Sequence, residues 1–357
     1  MSSNSQPDDP SDNQYLRLLK TRRSNGRSLL AVHWELTYRC NEHCTHCFLD
    51  VRAPDAHAAA ELTTQECRQV IDQLAELGTM NLTFSGGEPL LRSDFFEVAG
   101  YARHRRFVVR LCTNGALIDD AGADRIHALH PFAVEISLYG ADAATHEAIT
   151  RRPHSFARTL RAFRLLKERK VRTIMKTPLL RDNVHQLHQL ESLAAECGAH
   201  FQPSHLITAR NSGDRSPLRR RLSDDELRWV LRETLTPAQT IATMQTPRRS
   251  VCGIAQWGFV LGPDGSVYPC VEVRQVAGNV RCQPVQEIWN QDEFWLPLAE
   301  VCRRMPPMCR DCAFHTTCQR CPGLALLEEG SLIAPGAENC RAARIYSQVM
   351  AEKRAMS

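Results

Sequence analysis

Six apolar runs separated by helical patterns constrain the fold of this chain more than any other feature. LLAVHWEL (29–36), MNLTF (80–84), RFVVRLC (106–112), FAVEISL (132–138), VRTIMKT (171–177) and AHFQPSHLI (199–207) read as strands. The segment after the first of these, TTQECRQVIDQLAELG, reads as a helix. It opens on the N-cap candidate Thr63, carries Glu66 three residues on as a capping-box partner, and closes at Gly78. SDFFEVAGYARH, DDAGADRIHALH, SFARTLRAFRLLKERK and NVHQLHQLESLAAECG follow the same logic. Strands alternating with helices imply a parallel sheet with right-handed crossovers. No G-x-G-x-x-G or G-x4-G-K-[ST] phosphate fingerprint is present. The expectation is therefore an α/β fold of the partial (β/α)6 barrel kind, rather than a doubly wound nucleotide fold.

The rest of the chain divides around this unit. Residues 1–28 read as a polar tail with a short helix at YLRLLKTRR, 29–210 as the barrel, and 211–250 as a helical linker containing SDDELRWVLRETL capped at Ser223. Residues 251–345 are cysteine-rich, punctuated by Gly and Pro, and short of long periodic elements, and 346–357 read as a C-terminal tail. The start lacks the apolar stretch of a signal peptide, and no run of about 18 apolar residues exists. The chain is expected in the cytoplasm, with no membrane partner. A net charge of +4 gives no footprint of nucleic-acid binding, and the basic runs Arg219–Arg221 and Arg103–Arg106 read as solvated helix faces.

In a reducing compartment, 15 cysteines, twelve of them clustered, favour metal over disulfides. Cys40, Cys44 and Cys47 follow the first strand with spacing C-x3-C-x2-C, where barrels collect their functional groups. Three thiolates could hold zinc with His43 or His46, or a [4Fe–4S] cluster with one iron lacking a protein ligand. Ser85-Gly86-Gly87-Glu88-Pro89 ends the second strand. The glycines let a ligand approach the backbone, and Glu88 suits a ligand ammonium. Cys67, Cys112 and Cys197 read as small buried hydrophobes, and Trp257, Phe259, Trp289 and Trp295 as packing around the C-terminal metal sites.

Together these residues resemble the radical S-adenosylmethionine (SAM) superfamily. The resemblance covers roughly residues 30–205. It implies that Cys40, Cys44 and Cys47 bind a [4Fe–4S] cluster whose open iron SAM chelates. It places His46 near the adenine, where an aromatic is more usual, and Gly86, Gly87 and Glu88 at the SAM amino group. Ser137 in EISLYG would reach SAM polar groups, and Arg152 in ITRRPHSF the SAM carboxylate. The C-terminal pattern runs from Cys252 through Gly265 to Cys270, then Cys309-x2-Cys312-x5-Cys318-x2-Cys321, then Cys340. It resembles the SPASM extension of radical SAM peptide maturases, which holds two auxiliary Fe–S clusters of the [4Fe–4S] kind. The family's last gap is x3 where this chain has x2, which touches the role of Cys321. The resemblance assigns Cys309, Cys312, Cys318 and Cys340 to the distal cluster. Cys252, Cys270 and Cys321 go to the inner one, with its fourth ligand open between a substrate group, Cys282 and Cys302. Cys282, only twelve residues past Cys270, is the stronger internal rival, and an open iron the favoured outcome.

The resemblance implies reductive cleavage of SAM to a 5′-deoxyadenosyl radical that modifies a ribosomally synthesised precursor peptide by crosslinking, oxidation or excision. An electron donor such as flavodoxin or ferredoxin is implied. The stretch before the barrel is too short for a winged-helix recognition domain, so leader-peptide capture falls to a separate leader-peptide-binding protein or to a groove on this chain. The alternatives are a radical SAM enzyme modifying a tetrapyrrole side chain and, in another class, a zinc-stapled interaction protein.

Overall fold

The computed structural model describes residues 27–55, 61–235, 252–315 and 317–355. The tail expected at 1–28 and the linker segment 236–251 lie almost wholly outside these residues. Five β/α units run β1 (Ala31–Thr37), α1 (Thr64–Glu76), β2 (Asn81–Gly86), α2 (Phe95–His104), β3 (Val108–Thr113), α3 (Asp120–Leu129), β4 (Ala133–Ser137), α4 (Ala143–Thr150), α5 (Ser155–Glu168), β5 (Thr173–Pro178) and α6 (Leu187–Cys197). They lead to β6 (His200–Ser204) and α7 (Asp224–Thr234). The expected capping box forms between Thr63 and Glu66, and the expected cap Ser223 also forms a capping box, with Glu226. The six strands pair in parallel in the order in which they occur, as a barrel of βα units requires.

The pleat separates two environments. Val32, Trp34 and Leu36 of β1 are at most 1% exposed. With Val109 and Leu111 of β3 and Ile136 of β4, they face the helices and form the main core. The alternate residues Cys112, Glu135, Ser137, Lys176, Gln202 and Ser204 line the concave side.

The sheet does not stop at six strands. β7 (Gly258–Leu261) pairs parallel with β1, and β8 (Ser266–Tyr268) and β9 (Gly278–Asn279) add antiparallel strands, giving nine in the order β6-β5-β4-β3-β2-β1-β7-β8-β9. A buried bidentate ion pair reinforces this seam. Arg274 Nη1 and Nη2 donate to Glu35 Oε2 and Oε1 at 2.8 and 2.6 Å, and Tyr38 Oη donates to Glu35 at 3.0 Å. The cysteine-rich part also holds more regular structure than its sequence suggests: α8 (Val285–Trp289), α9 (Asp292–Arg303), α10 (Pro322–Glu329) and α11 (Ala337–Ala355). Residues 346–355 are not a tail but the second half of α11. There Ile345, Tyr346, Val349 and Met350 pack on Leu227, Val230 and Leu231 of α7. Phe259, Trp289 and Trp295 join the main core instead of caging the C-terminal cysteines, and Trp257 is exposed. Arg221 is not on a solvated face: its guanidinium pairs with Glu328 and donates to Ile207 O at 2.9 Å, holding the barrel's last loop to α10.

Candidate active site and iron–sulfur ligands

The loop carrying Cys40, Cys44 and Cys47 is held from three sides. Cys40 N donates to Arg52 O at 2.9 Å, which closes the loop on itself. His43 N and Thr45 N donate to Thr150 O and Ile149 O at 3.0 and 2.9 Å, docking it on the end of α4. Asn211 N donates to Phe48 O at 2.9 Å. Glu42 N donates to Cys40 Sγ at 3.4 Å, and the Cys44 thiol donates to Glu42 Oε2 at 3.6 Å. Burial pushes the Cys40 thiol up to about 12 and raises Cys44 and Cys47. Three low-polarity thiols therefore need a cationic group to become thiolates.

All three thiols open onto a cavity of about 500 Å³ on the concave side of β2–β6. Its wall includes Ser85, Gly86, Gly87, Asn114, Ser137 and the His46–Tyr139 pair, whose rings meet edge-on at 4.5 Å between centroids. Glu42 Oε1 and His46 Nδ1 are buried there without partners. Unpaired buried polar atoms beside three thiols fit a site shaped for a polar group as well as a metal. Among the described residues, no three Cys, His, Asp or Glu side chains converge as tightly as one metal ion requires. A four-iron cube instead takes its thiolates at separate corners.

The GGEP turn acts differently from expectation. A Cβ on Gly86 would sit 2.3 Å from Thr37 O, and one on Gly87 2.2 Å from Arg39 O. Gly86 also has φ +126°. The glycines thus let the end of β2 press against the root of the cysteine loop, where Gly87 N and Glu88 N donate to Thr37 O and Arg39 O at 2.7 and 2.8 Å. Glu88 is fully buried and does not line the cavity. Its carboxylate accepts from Thr113 Oγ1 at 2.8 Å, Asn114 N at 2.8 Å and Leu90 N at 3.1 Å. Arg152 is exposed and also off the cavity wall, although its charge still reaches Glu42. Ser137 and His46 both line the cavity.

Burial pushes the Glu88 carboxyl up to about 7. An acid whose folded-state pKa lies above its unfolded value loses stability as the pH rises through that interval, here from about 4.5 to about 7. The loss is on the order of 3 kcal/mol. In Glu88→Gln this slope should flatten. Thermal midpoints of the two proteins at pH 5 and pH 8 check it, and parallel pH dependence in both would refute it.

Sequence spacing did not single out several wall residues. Glu135 joins Lys176 at 3.2 Å, Arg110 at 3.2 Å and the Cys112 thiol at 3.8 Å. Cys112 is therefore a wall residue and not an inert hydrophobe. The period of two, applied to β3 through β6, would have found this set. Glu272 lines the cavity and accepts from the Cys270 thiol at 2.7 Å, so it touches both centres.

The C-terminal thiols gather in two groups. Cys309, Cys312, Cys318 and Cys340 are within electrostatic reach of one another, around the first turn of α11. Cys252, Cys270 and Cys321 form the other group, with a fourth thiol from α9, Cys302, that carries no spacing signal. Ile254 N donates to Cys252 Sγ and Leu324 N to Cys321 Sγ, both at 3.4 Å. Such amide donors steady a thiolate. Cys282 is exposed and belongs to neither group.

Comparison with known proteins agrees with this geometry. The family model described as "Radical SAM superfamily" matches residues 34–194, and the one described as "Iron-sulfur cluster-binding domain" (SPASM) matches 252–322. An AdoMet-dependent heme synthase of Methanosarcina barkeri is 28% identical over 329 residues, covering 85% of this chain and 93% of that protein. Mycofactocin maturase MftC of Mycolicibacterium smegmatis is 28% identical over 315 residues, covering 81% and 77%. Among solved structures, anSMEcpe with bound AdoMet superposes with a TM-score of 0.70 at 17% identity, covering 91% of this chain and 94% of that one. Streptococcus suis SuiB bound to its precursor peptide SuiA gives 0.68 at 15%, covering 95% and 84%. The chain belongs to the radical SAM superfamily and carries a SPASM iron–sulfur domain.

Proposed function

We propose that this enzyme modifies a ribosomally synthesised peptide by crosslinking, oxidation or excision. When bound, the barrel cluster and SAM supply one-electron cleavage of SAM and hydrogen-atom abstraction from an unactivated carbon. The chain's own residues do the rest. Cys40, Cys44 and Cys47 would hold the cluster. Ser137, Asn114 and the backbone at 85–87 would meet SAM's polar groups, and the His46–Tyr139 pair would offer a ring surface to its base. A substrate seated over the open side of the cavity would complete the exclusion of water and competing hydrogen donors. The C-terminal thiols would hold two further clusters, placed to accept an electron from the product. Reducing equivalents would come from a flavodoxin or ferredoxin in the cytoplasm.

The observation that carries the peptide reading is the charge of the cavity wall. Glu135 and Glu272 line it against one cation, Lys176, which is already paired with Glu135 and hydrogen-bonded to Gln202 at 3.1 Å; Glu42 also lines it, but burial pushes its carboxyl up to about 8, so it adds an uncharged acid near neutral pH. An acidic wall suits SAM's positive charges and a neutral or basic peptide side chain, and repels a carboxylate-bearing macrocycle. The relative MftC and the fold shared with peptide-bound SuiB support the same reading. A second reading, modification of a tetrapyrrole side chain, is favoured by the heme synthase relatives and by Arg151, Arg210, Arg219 and Arg220 around Thr45.

The test supplies SAM, reductant and either the short peptides encoded beside the gene or a propionate-bearing iron tetrapyrrole. A mass change in a peptide, with deuterium from labelled peptide appearing in 5′-deoxyadenosine, is expected. Conversion of the tetrapyrrole alone would overturn the reading.

A further inference from the structure

We infer that Cys302 is the fourth protein ligand of the inner auxiliary cluster, completing a set with Cys252, Cys270 and Cys321 and closing that cluster to substrate. The inference rests on the iron–sulfur domain and is independent of which substrate the enzyme takes.

Cys302 is fully buried. It ends the stripe Trp295, Leu298, Ala299, Cys302 on the inner face of α9, an i, i+3, i+4, i+7 series that fixes the direction of its side chain. The rest of α9's buried face packs into the main core, whereas Cys302 falls in a separate cluster with Ile254 and Val273, against which Cys252 and Cys270 pack. The main chain delivers Cys252 to the same place, since Cys252 N donates to Cys302 O at 3.1 Å. The Cys252 and Cys302 side chains are also within hydrogen-bond reach of each other. Cys270 is within electrostatic reach of Cys302 and of Cys321, and Cys321 of Cys252, so the four thiols form one connected group.

Cys302 thus brings a fully buried thiol beside three expected ligands. Four sulfurs at one site also match the complement of a [4Fe–4S] cluster, each entering as thiolate with its proton released to solvent. The rival Cys282 is exposed, and its N–H is engaged by Asn279 O at 2.9 Å in the turn after β9. Nearness in sequence to Cys270 misleads there, because β9 carries the chain out along the sheet edge. With four protein thiolates the inner cluster has no open iron. It can pass electrons or hold structure, but it cannot ligate a substrate cysteine.

The test removes the barrel cluster by Cys40→Ala/Cys44→Ala/Cys47→Ala, reconstitutes the full chain anaerobically, and records iron content and electron paramagnetic resonance after reduction, with and without 2-mercaptoethanol. The parent should hold roughly eight irons, and added thiol should not change its spectrum. Cys302→Ala should lose iron or alter the inner component, and that component should now respond to 2-mercaptoethanol. The unchanged outer component reports that the domain is folded. Cys282→Ala should match the parent. If Cys302→Ala loses both components, Cys302→Ser decides, because its hydroxyl keeps the shape and shifts the inner spectrum. A Cys302→Ala or Cys302→Ser protein with the parent's iron, spectrum and indifference to thiol would overturn the assignment, as would a parent that itself responds to 2-mercaptoethanol.

Discussion

Cys44→Ala should leave a folded protein that forms no detectable 5′-deoxyadenosine. Cys44 sits half-buried against Tyr139, Ile149, Leu180 and Ile207, and its thiol donates to Glu42. Trimming a thiol to a methyl at such a site costs about 1 kcal/mol. The chemical loss is far larger. With two thiolates in place of three, the barrel cannot retain its cluster, and iron content should fall by roughly four per chain. Cys252, Cys270, Cys302, Cys309, Cys312, Cys318, Cys321 and Cys340 all lie outside the barrel, so the auxiliary clusters should remain. Iron analysis and chromatography of SAM products under strong reductant check this. Nucleoside product from the variant would remove Cys44 from the ligand set.

Arg274→Ala should be the most destabilising single change at the seam between barrel and SPASM domain. Glu35 is fully buried and its carboxylate is satisfied by the Arg274 fork and by Tyr38. Removing the arginine leaves a carboxylate without its counter-charge in the interior, which costs about 3–5 kcal/mol. Replacing both partners by apolar residues, Glu35→Leu with Arg274→Met, should recover most of that loss, because the penalty comes from the stranded charge more than from the missing bond. Denaturant unfolding of the two singles and the double completes the cycle. A single-mutant loss under about 1 kcal/mol would show that water reaches the pair.

The barrel was legible because its signals are long and periodic. Strands of five to seven residues alternating with amphipathic helices carry the period-2 and period-3.6 patterns many times over. The cluster loop was legible because ligand spacing within one short segment is a local property. The misses share a different cause. β8 and β9 have three and two residues, too few to show any period. Cys302 reaches the inner group by tertiary packing across about fifty residues of chain from Cys252, a relation that no spacing rule encodes. Glu88 was placed correctly on the turn, but the side its carboxylate faces depends on Thr113 and Asn114 at the end of β3. The second half of α11 reads as a C-terminal tail because the residues it packs on belong to α7, far away in sequence. No helix among the described residues is long and apolar enough to cross a membrane.

The central claim is that the barrel thiols hold a cluster to which SAM binds. Electron paramagnetic resonance of the anaerobic, dithionite-reduced wild-type protein, recorded before and after adding SAM, tests it most directly. One component should change on addition of SAM, and that same component should be missing from Cys44→Ala while the others persist. A wild-type spectrum that SAM leaves untouched would contradict the account.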